Sequence, residues 1–409
     1  MTLPQDARLR VADALRPYAA RYRQNLTESV IPFWLRHSLD REHGGYFSCL
    51  DRDGAVYDTR KYVWLQGRAV WMFSRLYNEL ERRPEYLDAA ALGVEFMRRH
   101  ARDPHGRVYF SLTREGRPHF YQRKPYAAVF YMLGLLEYGR ASGDRGCVDE
   151  AVELFWRIVE WIADPALLDR PSYPGQIPAS NLANLLVVGM MAIELAPMFD
   201  EPRYRQAIRA TLDGVARHYD PQRRIFLENV ALAGHDLAQL PEGRLFNPGH
   251  SIETAWIVLH MLEFAPDPAR RRMALEALGG SLERGWDQEH GGLLYFMDVE
   301  QRPTLQLEST MKLWWPHAEA IYALVLACAQ TGEQRWLDWL ARVDAYTFAH
   351  FVDAERGEWF GYCDRRGDLA LTSKGGSYKG FYHVPRALLF SMQRIEQLSF
   401  FATEITEEP

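Results

Sequence analysis

The chain alternates between two kinds of helical pattern. Stretches such as 86–101 and 204–219 carry apolar residues at intervals of three and four with charged residues between them, which is typical of a helix with one buried face. Stretches such as 182–195 and 252–264 are apolar on most sides, which predicts helices surrounded by protein. The pattern therefore predicts an all-α protein of outer and inner helices.

A loop pattern recurs between each outer helix and the inner helix that follows it. Its clearest copies, DREHGGYFSCLDRDG and DQEHGGLLYFMDVEQRP, contain a turn-forming aspartate, glycines and a short aromatic run, which predicts a small β-hairpin. The aspartates that begin the six copies are Asp40, Asp103, Asp164, Asp220, Asp287 and Asp353. Their intervals of 56 to 67 residues indicate six structural repeats, of which the third is degenerate.

Six helix pairs stacked around an axis would form an (α/α)6 barrel with the β-hairpin loops at one rim. An open superhelical solenoid of the same helix pairs is the structural alternative. No linker or low-complexity tract interrupts the sequence. We therefore expect a single barrel domain over residues 1–402 and an acidic C-terminal tail over 403–409.

Composition excludes several classes of function. The net charge is -6 and the basic residues are scattered, so the stripe of positive charge that nucleic acid requires is missing. The N-terminal segment is amphipathic rather than signal-like, and no apolar run is long enough to span a membrane. The four cysteines lie far apart and outside any CxxC pair, so neither a disulfide framework nor a zinc site is indicated. A cytoplasmic location is the expectation.

Polar residues recur at the beginnings of the inner helices, which the predicted loops would gather at one mouth. The residues that mark these helix beginnings are Trp64, Arg68, Tyr126, Asn181, Asn184, His250, Glu253, Trp314, Trp315, His317, Glu319 and His383. Proline and glycine in NPGHSIETAW and WWPHAEA mark two of the helix starts. The positive end of a helix dipole would stabilise an anion formed beside such a histidine.

Each of these residues also has a purely structural interpretation. A buried polar group satisfied by its neighbours is the ordinary case. Arg68 could form a salt bridge across the barrel, Trp64 and Trp314 could belong to the core, and His317 could either support a neighbour or contact substrate. The recurrence of polar groups at every inner helix start favours a binding site. The expected substrate-binding residues are Tyr126, Asn181, Asn184, Trp315, His317, Trp359 and Tyr378.

Five segments resemble the N-acylglucosamine 2-epimerase family, which also includes mannose isomerases, cellobiose 2-epimerases and sulfoquinovose isomerases. They are FWLRHSLDREHGGYF, KYVWLQGRAVWMFSRLYN, GHSIETAW, WWPHAEA and KGGSYKGFYHVPR. The resemblance covers nearly the whole chain, and it implies the (α/α)6 barrel. It also implies that His250 and His383 are paired acid/base catalysts and that Arg68, Glu253 and Glu319 are catalytic polar residues that hold the substrate.

One departure from this resemblance bears on the substrate. Where cellobiose epimerases and mannose isomerases carry a further histidine in the third inner helix, this chain aligns Leu185, within SNLANLLVV. That difference favours the N-acylglucosamine side of the family. The resemblance assigns no role to Asn184.

The expected function is a sugar 2-epimerase. It would interconvert C2 epimers such as N-acetylglucosamine and N-acetylmannosamine through a cis-enediolate, with histidine suited to proton transfer near neutral pH. The same pair of histidines would give an aldose-ketose isomerase of the mannose/fructose type if the proton returned to C1. An inverting glycoside hydrolase could use Glu253 and Glu319 but would leave both histidines idle. A non-catalytic sugar-binding protein would have no need of His250, His383 and Arg68 together.

The predicted partner is a small-molecule sugar, and a homodimer is the expected assembly. The chemistry requires no metal or redox cofactor, and no cluster of residues has metal-ligand spacing. The family resemblance implies that some members respond to a nucleotide activator. The sequence has no phosphate-binding motif of the GxxxxGK[ST] or GxGxxG kind, which leaves such an activator open.

Overall fold

The structure, a computed structural model, describes residues 3–120, 124–170 and 173–403, with side chains to residue 400. Residues 404–409 of the predicted acidic tail lie outside this part of the chain. The α-helices in chain order are α1 (Gln5–Gln24), α2 (Ile31–His37), α3 (Val63–Glu79), α4 (Pro84–His100), α5 (Tyr126–Ser142), α6 (Arg145–Ala163), α7 (Leu182–Leu195), α8 (Pro202–Ala216), α9 (Pro248–Phe264), α10 (Pro268–Gly285), α11 (Trp314–Thr331), α12 (Gln334–His350) and α13 (His383–Thr403). A π-helical segment, Asn25–Val30, joins α1 to α2, and two short 3₁₀ helices are Pro165–Leu168 and Pro241–Arg244.

The odd-numbered helices from α3 to α13 form the inner ring of a closed barrel. Each packs against the next in chain order, and each is covered by an outer helix. The ring closes between its two ends, because Trp71 of α3 contacts the rings of Tyr382 and Phe390 with centroids 5.3 and 6.1 Å apart. Buried apolar residues from Val11 to Leu398 form one contiguous core. The prediction of an (α/α)6 barrel is confirmed, and the open solenoid is excluded.

Short strands lie at the rim between consecutive helices. They are β1 (Cys49–Leu50), β2 (Val56–Asp58), β3 (Lys61–Tyr62), β4 (Ser111–Leu112), β5 (Pro118–Phe120), β6 (Ala179–Asn181), β7 (Tyr219–Asp220), β8 (Ile225–Phe226), β9 (Asn229–Ala231), β10 (Leu245–Phe246), β11 (Met297–Asp298), β12 (Lys312–Leu313), β13 (Tyr362–Cys363) and β14 (Leu369–Leu371). Strands β3, β6, β10 and β12 each precede an inner helix, and each pairs antiparallel with a strand of the following loop. The hairpins therefore link successive repeats and do not simply cover one helix pair each.

The aspartate that begins each loop has the same task in all six repeats. Its Oδ1 accepts a hydrogen bond from the backbone N–H two residues later, as Asp40 does from Glu42 and Asp353 does from Glu355. An Asx turn of this kind reverses the chain without a backbone partner. At Asp164 the turn opens a 3₁₀ helix in place of a hairpin, which explains why the third copy is degenerate.

Three of the repeats add a buried lysine to this turn, and these lysines are Lys61, Lys312 and Lys374. Lys312 of β12 donates to Asp287 Oδ2 at 3.1 Å and to the carbonyl oxygens of Gly291 and Arg365 at 2.5 and 2.8 Å. The Arg365 side chain, which belongs to the next loop, binds the same aspartate at 3.2 Å. Lys61 with Asp40 and Arg114 repeats the arrangement in the first loop. Each buried charge is thus paired, and each pair joins two neighbouring loops.

No helix among the described residues is long and apolar enough to cross a membrane. The four cysteines are buried and unbridged.

Candidate active site

A cavity of about 680 Å³ opens into the barrel on the rim side. All six inner helices contribute to its wall, as predicted from their polar first turns. The lining residues that these helices supply are Trp64, Arg68, Tyr126, Phe130, Ala183, Leu186, Val187, Met190, His250, Glu253, Trp314, Trp315 and His383. Rim segments add Tyr295, Gln306, Glu308, Tyr362 and Tyr378. The loops therefore gather residues from the whole length of the chain around one space.

His250 is fixed by its helix start and by a glutamate from a neighbouring loop. Pro248 begins α9, and the Asn247 side chain caps it by accepting from the His250 N–H at 2.9 Å. The His250 Nδ1 lies 2.8 Å from Glu228 Oε1, so Nε2 is the ring nitrogen left for the cavity. Burial works against a charged imidazole, but the charge and hydrogen bond of Glu228, with the charge of Glu253, outweigh it and raise the pKa of His250.

His383 is the first residue of α13 and has the opposite electrostatic surroundings. Its Nδ1 lies 2.6 Å from Glu319 Oε1, which again leaves Nε2 for the cavity. Burial, followed by the positive charges of Arg68 and Arg386, holds the pKa of His383 well below its ordinary value. Glu319 does not restore that pKa because Arg386 Nη2 binds the same Oε1 at 2.5 Å. These surroundings therefore favour the neutral form of His383 and the protonated form of His250.

Trp315 contacts both imidazoles and so fixes how far apart they lie. Its ring centroid is 5.0 Å from that of His250 and 5.8 Å from that of His383. The indole is buried at the start of α11 and lines the cavity. Both imidazoles thus line one cavity with the Trp315 ring beside them.

Arg386 neutralises the acidic side of the site. Its Nη2 donates to Glu319 Oε1 at 2.5 Å and to Glu253 Oε1 at 3.0 Å, while Nη1 donates to the Tyr382 hydroxyl at 2.9 Å. In the part of the chain that the structure describes, Glu253, Glu319 and His383 are the one group of three that could converge on a metal ion. Arg386 already supplies a positive charge to both carboxylates of this group. Glu253 is thus paired with Arg386.

Arg68 is held by aromatic faces. Its guanidinium carbon lies 4.0, 4.8 and 5.0 Å from the ring centroids of Phe130, Trp64 and Tyr382. Its buried Nε has no hydrogen-bond partner within the described residues, and burial lowers the pKa of the guanidinium to about 10. Among the described residues, Arg68 does not form the salt bridge across the barrel that its sequence position allowed. The charge is positioned in the cavity wall with donors free for a substrate oxygen.

The predicted substrate-binding residues divide into three groups: residues that line the cavity, a residue that supports one of them, and residues that stabilise the scaffold. Trp315 and Tyr378 line the cavity, as does Tyr126, whose hydroxyl donates to Asn184 Oδ1 at 2.9 Å. Asn184 thereby orients Tyr126 from behind. Asn181 bonds Asn229 Oδ1 at 2.9 Å, where it ties β6 to β9.

The prediction that His317 and Trp359 bind substrate is corrected by their positions. His317 is fully buried, accepts from the Leu293 N–H at 2.9 Å and donates to the Leu313 carbonyl at 2.6 Å, so both ring nitrogens are occupied. Burial lowers its pKa to about 3. Trp359 is also fully buried, and its Nε1 donates to Asn25 Oδ1 at 2.8 Å on the outer side of the barrel. Both residues stabilise the scaffold.

Sequence reasoning missed the two residues that govern the histidines. Arg386 follows His383 by three positions in α13, so a search for polar residues on one helix face would have found it. Glu228 lies between β8 and β9, and nothing in its local sequence links it to His250. Trp64, considered a core residue, instead lies in the cavity wall beneath Arg68.

Leu185 does not face the cavity. A β-carbon added to Gly214 of α8 would lie 2.7 Å from Leu185 Cδ2, so this side chain packs outward on the outer helix. The positions of α7 that do face the cavity are Ala183, Leu186, Val187 and Met190. The third inner helix therefore presents no histidine to the site, as predicted, and Leu185 itself lies outside the cavity lining.

The chain is similar to known proteins over most of its length. The sequence profile described as N-acylglucosamine 2-epimerase matches residues 45–387. The N-acylglucosamine 2-epimerase of Bos taurus is 41% identical over 398 residues, which cover 94% of this chain and 93% of that protein. A cellobiose 2-epimerase of Ruminococcus albus is 26% identical over 355 residues, covering 83% of this chain and 88% of the relative.

A solved structure shares the fold over nearly its full length. The cellobiose 2-epimerase from Bacillus thermoamylovorans superposes with a TM-score of 0.80 at 21% identity, covering 93% of this chain and 100% of that one.

Proposed function

The chain belongs to the N-acylglucosamine 2-epimerase family and is a sugar 2-epimerase, and we propose that it interconverts N-acetylglucosamine and N-acetylmannosamine. The observation that carries the chemistry is the pair of histidines in one cavity, each held through Nδ1 by its own glutamate. The substrate assignment rests on relatives about 40% identical over most of the chain, which are named N-acylglucosamine 2-epimerases.

The reaction begins with deprotonation of the open-chain sugar. Neutral His383 takes the C2 proton onto Nε2, and the electron pair moves into the C1–C2 bond and onto the carbonyl oxygen. The Arg68 guanidinium lies in the cavity wall with unused donors, so it holds the resulting oxyanion. Protonated His250 then donates from Nε2 to the other face of C2, and the electron pair returns to reform the carbonyl. Exchange with solvent restores the starting protonation of both rings.

Two alternatives fit the geometry less well. An inverting glycoside hydrolase needs two carboxyl groups about 6.5–9.5 Å apart with a water between them. Here the nearest Glu253 and Glu319 oxygens lie within 4.8 Å of each other, and Arg386 binds both carboxylates. An aldose-ketose isomerase could use the same histidines, and it is distinguished by its product.

Several further properties are part of the proposal. We propose that the chemistry needs no metal or redox cofactor, since Arg68 and Arg386 supply the positive charges that an enediolate and its carboxylate neighbours require. A cytoplasmic location and a homodimer stay predictions, and a nucleotide activator stays open.

Proton NMR in D₂O tests the proposed reaction. Each epimer is incubated separately with the enzyme, and we expect deuterium at C2 of the product because the proton passes through histidines that exchange with solvent. His250→Asn and His383→Asn should each lower kcat by at least about 100-fold while circular dichroism is unchanged. His43→Asn, a change in a rim loop, is the matched control.

The two variants should also differ in one-sided exchange. His250→Asn should still exchange C2 of the epimer that His383 deprotonates without forming the other epimer, and His383→Asn should show the reverse when started from the other epimer. A ketose product would indicate the isomerase. Near wild-type rates for either folded variant would rule out the two-histidine mechanism.

A further inference from the structure

One wall of the active-site cavity is entirely apolar. It consists of Ala183, Leu186, Val187 and Met190, which follow one another at intervals of three, one and three residues along one face of α7. Four of the other inner helices place a charged or hydrogen-bonding side chain in the lining, such as Arg68, Tyr126 or His250, and α11 contributes two tryptophans. The α7 wall is defined here as these four side chains.

The α7 wall lies close to the reacting groups. The six inner helices follow one another around the ring in chain order. Helix α7 therefore lies across the barrel from α13, which carries His383. Met190 Sδ is 4.0 Å from Arg386 Nη1, and the other terminal nitrogen of that guanidinium binds Glu319 and Glu253. Arg386 thus contacts both the acidic residues of the site and Met190 of the α7 wall.

An apolar wall in a sugar site needs an apolar group to cover. Hydroxyl groups placed against leucine, valine and methionine side chains would lose their hydrogen bonds to water without replacement. An N-acyl hexosamine carries a single saturated apolar group, the alkyl end of its acyl substituent, and this group is attached through nitrogen to C2. Three bonds of ordinary length place the methyl carbon of an acetyl group about 4 Å from C2. The alkyl group of the bound substrate must therefore lie close to the two histidines, because they act on C2.

We infer that the α7 wall is the pocket for the acyl group of the substrate and that Leu186 and Val187 determine which acyl lengths the enzyme accepts. This inference rests on the proposed function, because it names the part of the site that recognises the acyl substituent. It adds a specificity determinant that takes no part in proton transfer.

The experiment measures kcat/KM for N-acetyl-, N-propanoyl- and N-butanoylmannosamine with wild-type enzyme and three variants. Leu186→Ala enlarges the pocket and should raise the butanoyl-to-acetyl ratio of kcat/KM by about 10-fold, the effect of about one methylene in an apolar pocket. Val187→Phe fills the pocket and should lower the same ratio by about 10-fold. Leu185→Ala removes the same atoms as Leu186→Ala, but from the face that packs on Gly214, and should leave the ratio within about 2-fold of wild type.

The outcomes separate this inference from the proposed function. If the wild-type enzyme turns over N-acyl sugars but Leu186→Ala and Val187→Phe leave the ratio unchanged, the acyl pocket lies elsewhere and the inference is overturned. An equal change in Leu185→Ala would show a general effect of loosening α7 and would overturn it as well. A wild-type enzyme that epimerises only unsubstituted aldoses would contradict the substrate assignment itself, and the acyl pocket with it.

Discussion

At the scale of single residues, the two histidines are made unequal by the partners of their glutamates. Both rings donate through Nδ1 to a carboxylate. Glu228 acts on His250 with its charge and a hydrogen bond, whereas Glu319 divides its charge between His383 and Arg386. The same type of contact therefore raises one pKa and fails to raise the other. This difference favours a protonated His250 beside a neutral His383, as the proposed two-histidine reaction requires.

Removing the charge of Glu228 should move the high-pH limb of the activity profile. The reaction needs protonated His250, so activity is present below the pKa of His250 and is lost as the pH rises through it. Glu228→Gln keeps the shape of the side chain but removes the charge that raises this pKa. We expect the high-pH limb of kcat to move to lower pH.

The pH profile also separates this role from a merely structural one. Glu242→Gln, at an exposed position of the same loop region, should leave the limb in place. If Glu228→Gln lowered kcat equally at every pH without moving the limb, Glu228 would only be holding the loop.

At the scale of elements, the approach of α3 to α5 sets the position of Arg68. A β-carbon on Gly67 would lie 2.2 Å from the Phe130 carbonyl oxygen and 2.3 Å from its carbon, both of which are backbone atoms. A β-carbon on Gly134 would in turn lie 2.8 Å from the Gly67 oxygen. The missing side chains let the two helices touch, and this contact brings the Phe130 ring beneath the Arg68 guanidinium. The glycines thus serve the site through helix packing.

Gly67→Ala should force the two helices apart. Backbone atoms cannot move aside as a flexible side chain can, so we expect a loss of about 1–3 kcal/mol in the free energy of unfolding and a raised KM as Phe130 moves from Arg68. Gly279→Ala is the matched control, because the nearest atom to its added β-carbon would be 3.6 Å away. In the interior of α10 it should be neutral or stabilising by up to about 1 kcal/mol. Urea unfolding measures both, and equal effects would contradict the packing argument.

At the scale of the whole molecule, Asp353 joins the last repeat to the first. Arg52 of the first loop binds it through Nε at 2.7 Å and through Nη2 at 3.0 Å, and the buried Lys374 lies 3.0 Å from Oδ2. The Lys374 amide also donates to the Leu50 carbonyl at 2.9 Å. The lysine and aspartate that link neighbouring loops elsewhere therefore also close the barrel, and the loop they anchor leads into α13.

Asp353→Ala should destabilise the closed barrel by about 3 kcal/mol or more, because it leaves the buried Lys374 without its counter-charge. Glu355→Ala, which removes an exposed partner of Arg52, should cost less than about 1 kcal/mol. In the wild type, Arg52 and Lys374 overcome burial and lower the pKa of Asp353. Its contribution to stability is therefore complete above the unfolded pKa of about 3.9 and declines as the pH falls from there to the lower pKa of the folded state. Chemical unfolding at pH 7 and pH 3 measures these differences. Equal losses of unfolding free energy in the two variants would show that Asp353 stabilises the closed barrel through Arg52 and not through the buried Lys374.

The sequence by itself determined the repeat and the barrel. The Asx turn at each repeat start, the helix starts at Pro248 and Trp314 and the apolar inner helices depend on residues within a few positions of one another, and such short-range patterns can be read along the chain. The residues that line the cavity follow from the same periodicity, since the first turns of inner helices must face one mouth once the ring closes.

Only the tertiary structure decided which side chains pair with one another in the site. Glu228 lies 22 residues from His250, Glu319 lies 64 from His383, and Arg386 reaches Glu253 across 133 residues. None of these pairs has a local signature, because each forms only when two helices or a loop and a helix arrive side by side. His317 and Trp359 have the same kind of side chain as site residues, but they lie on the wrong side of their helix or loop. Contacts between residues far apart in the chain form only when the ring of helices closes. Helices and turns, by contrast, depend on residues that are adjacent in the sequence.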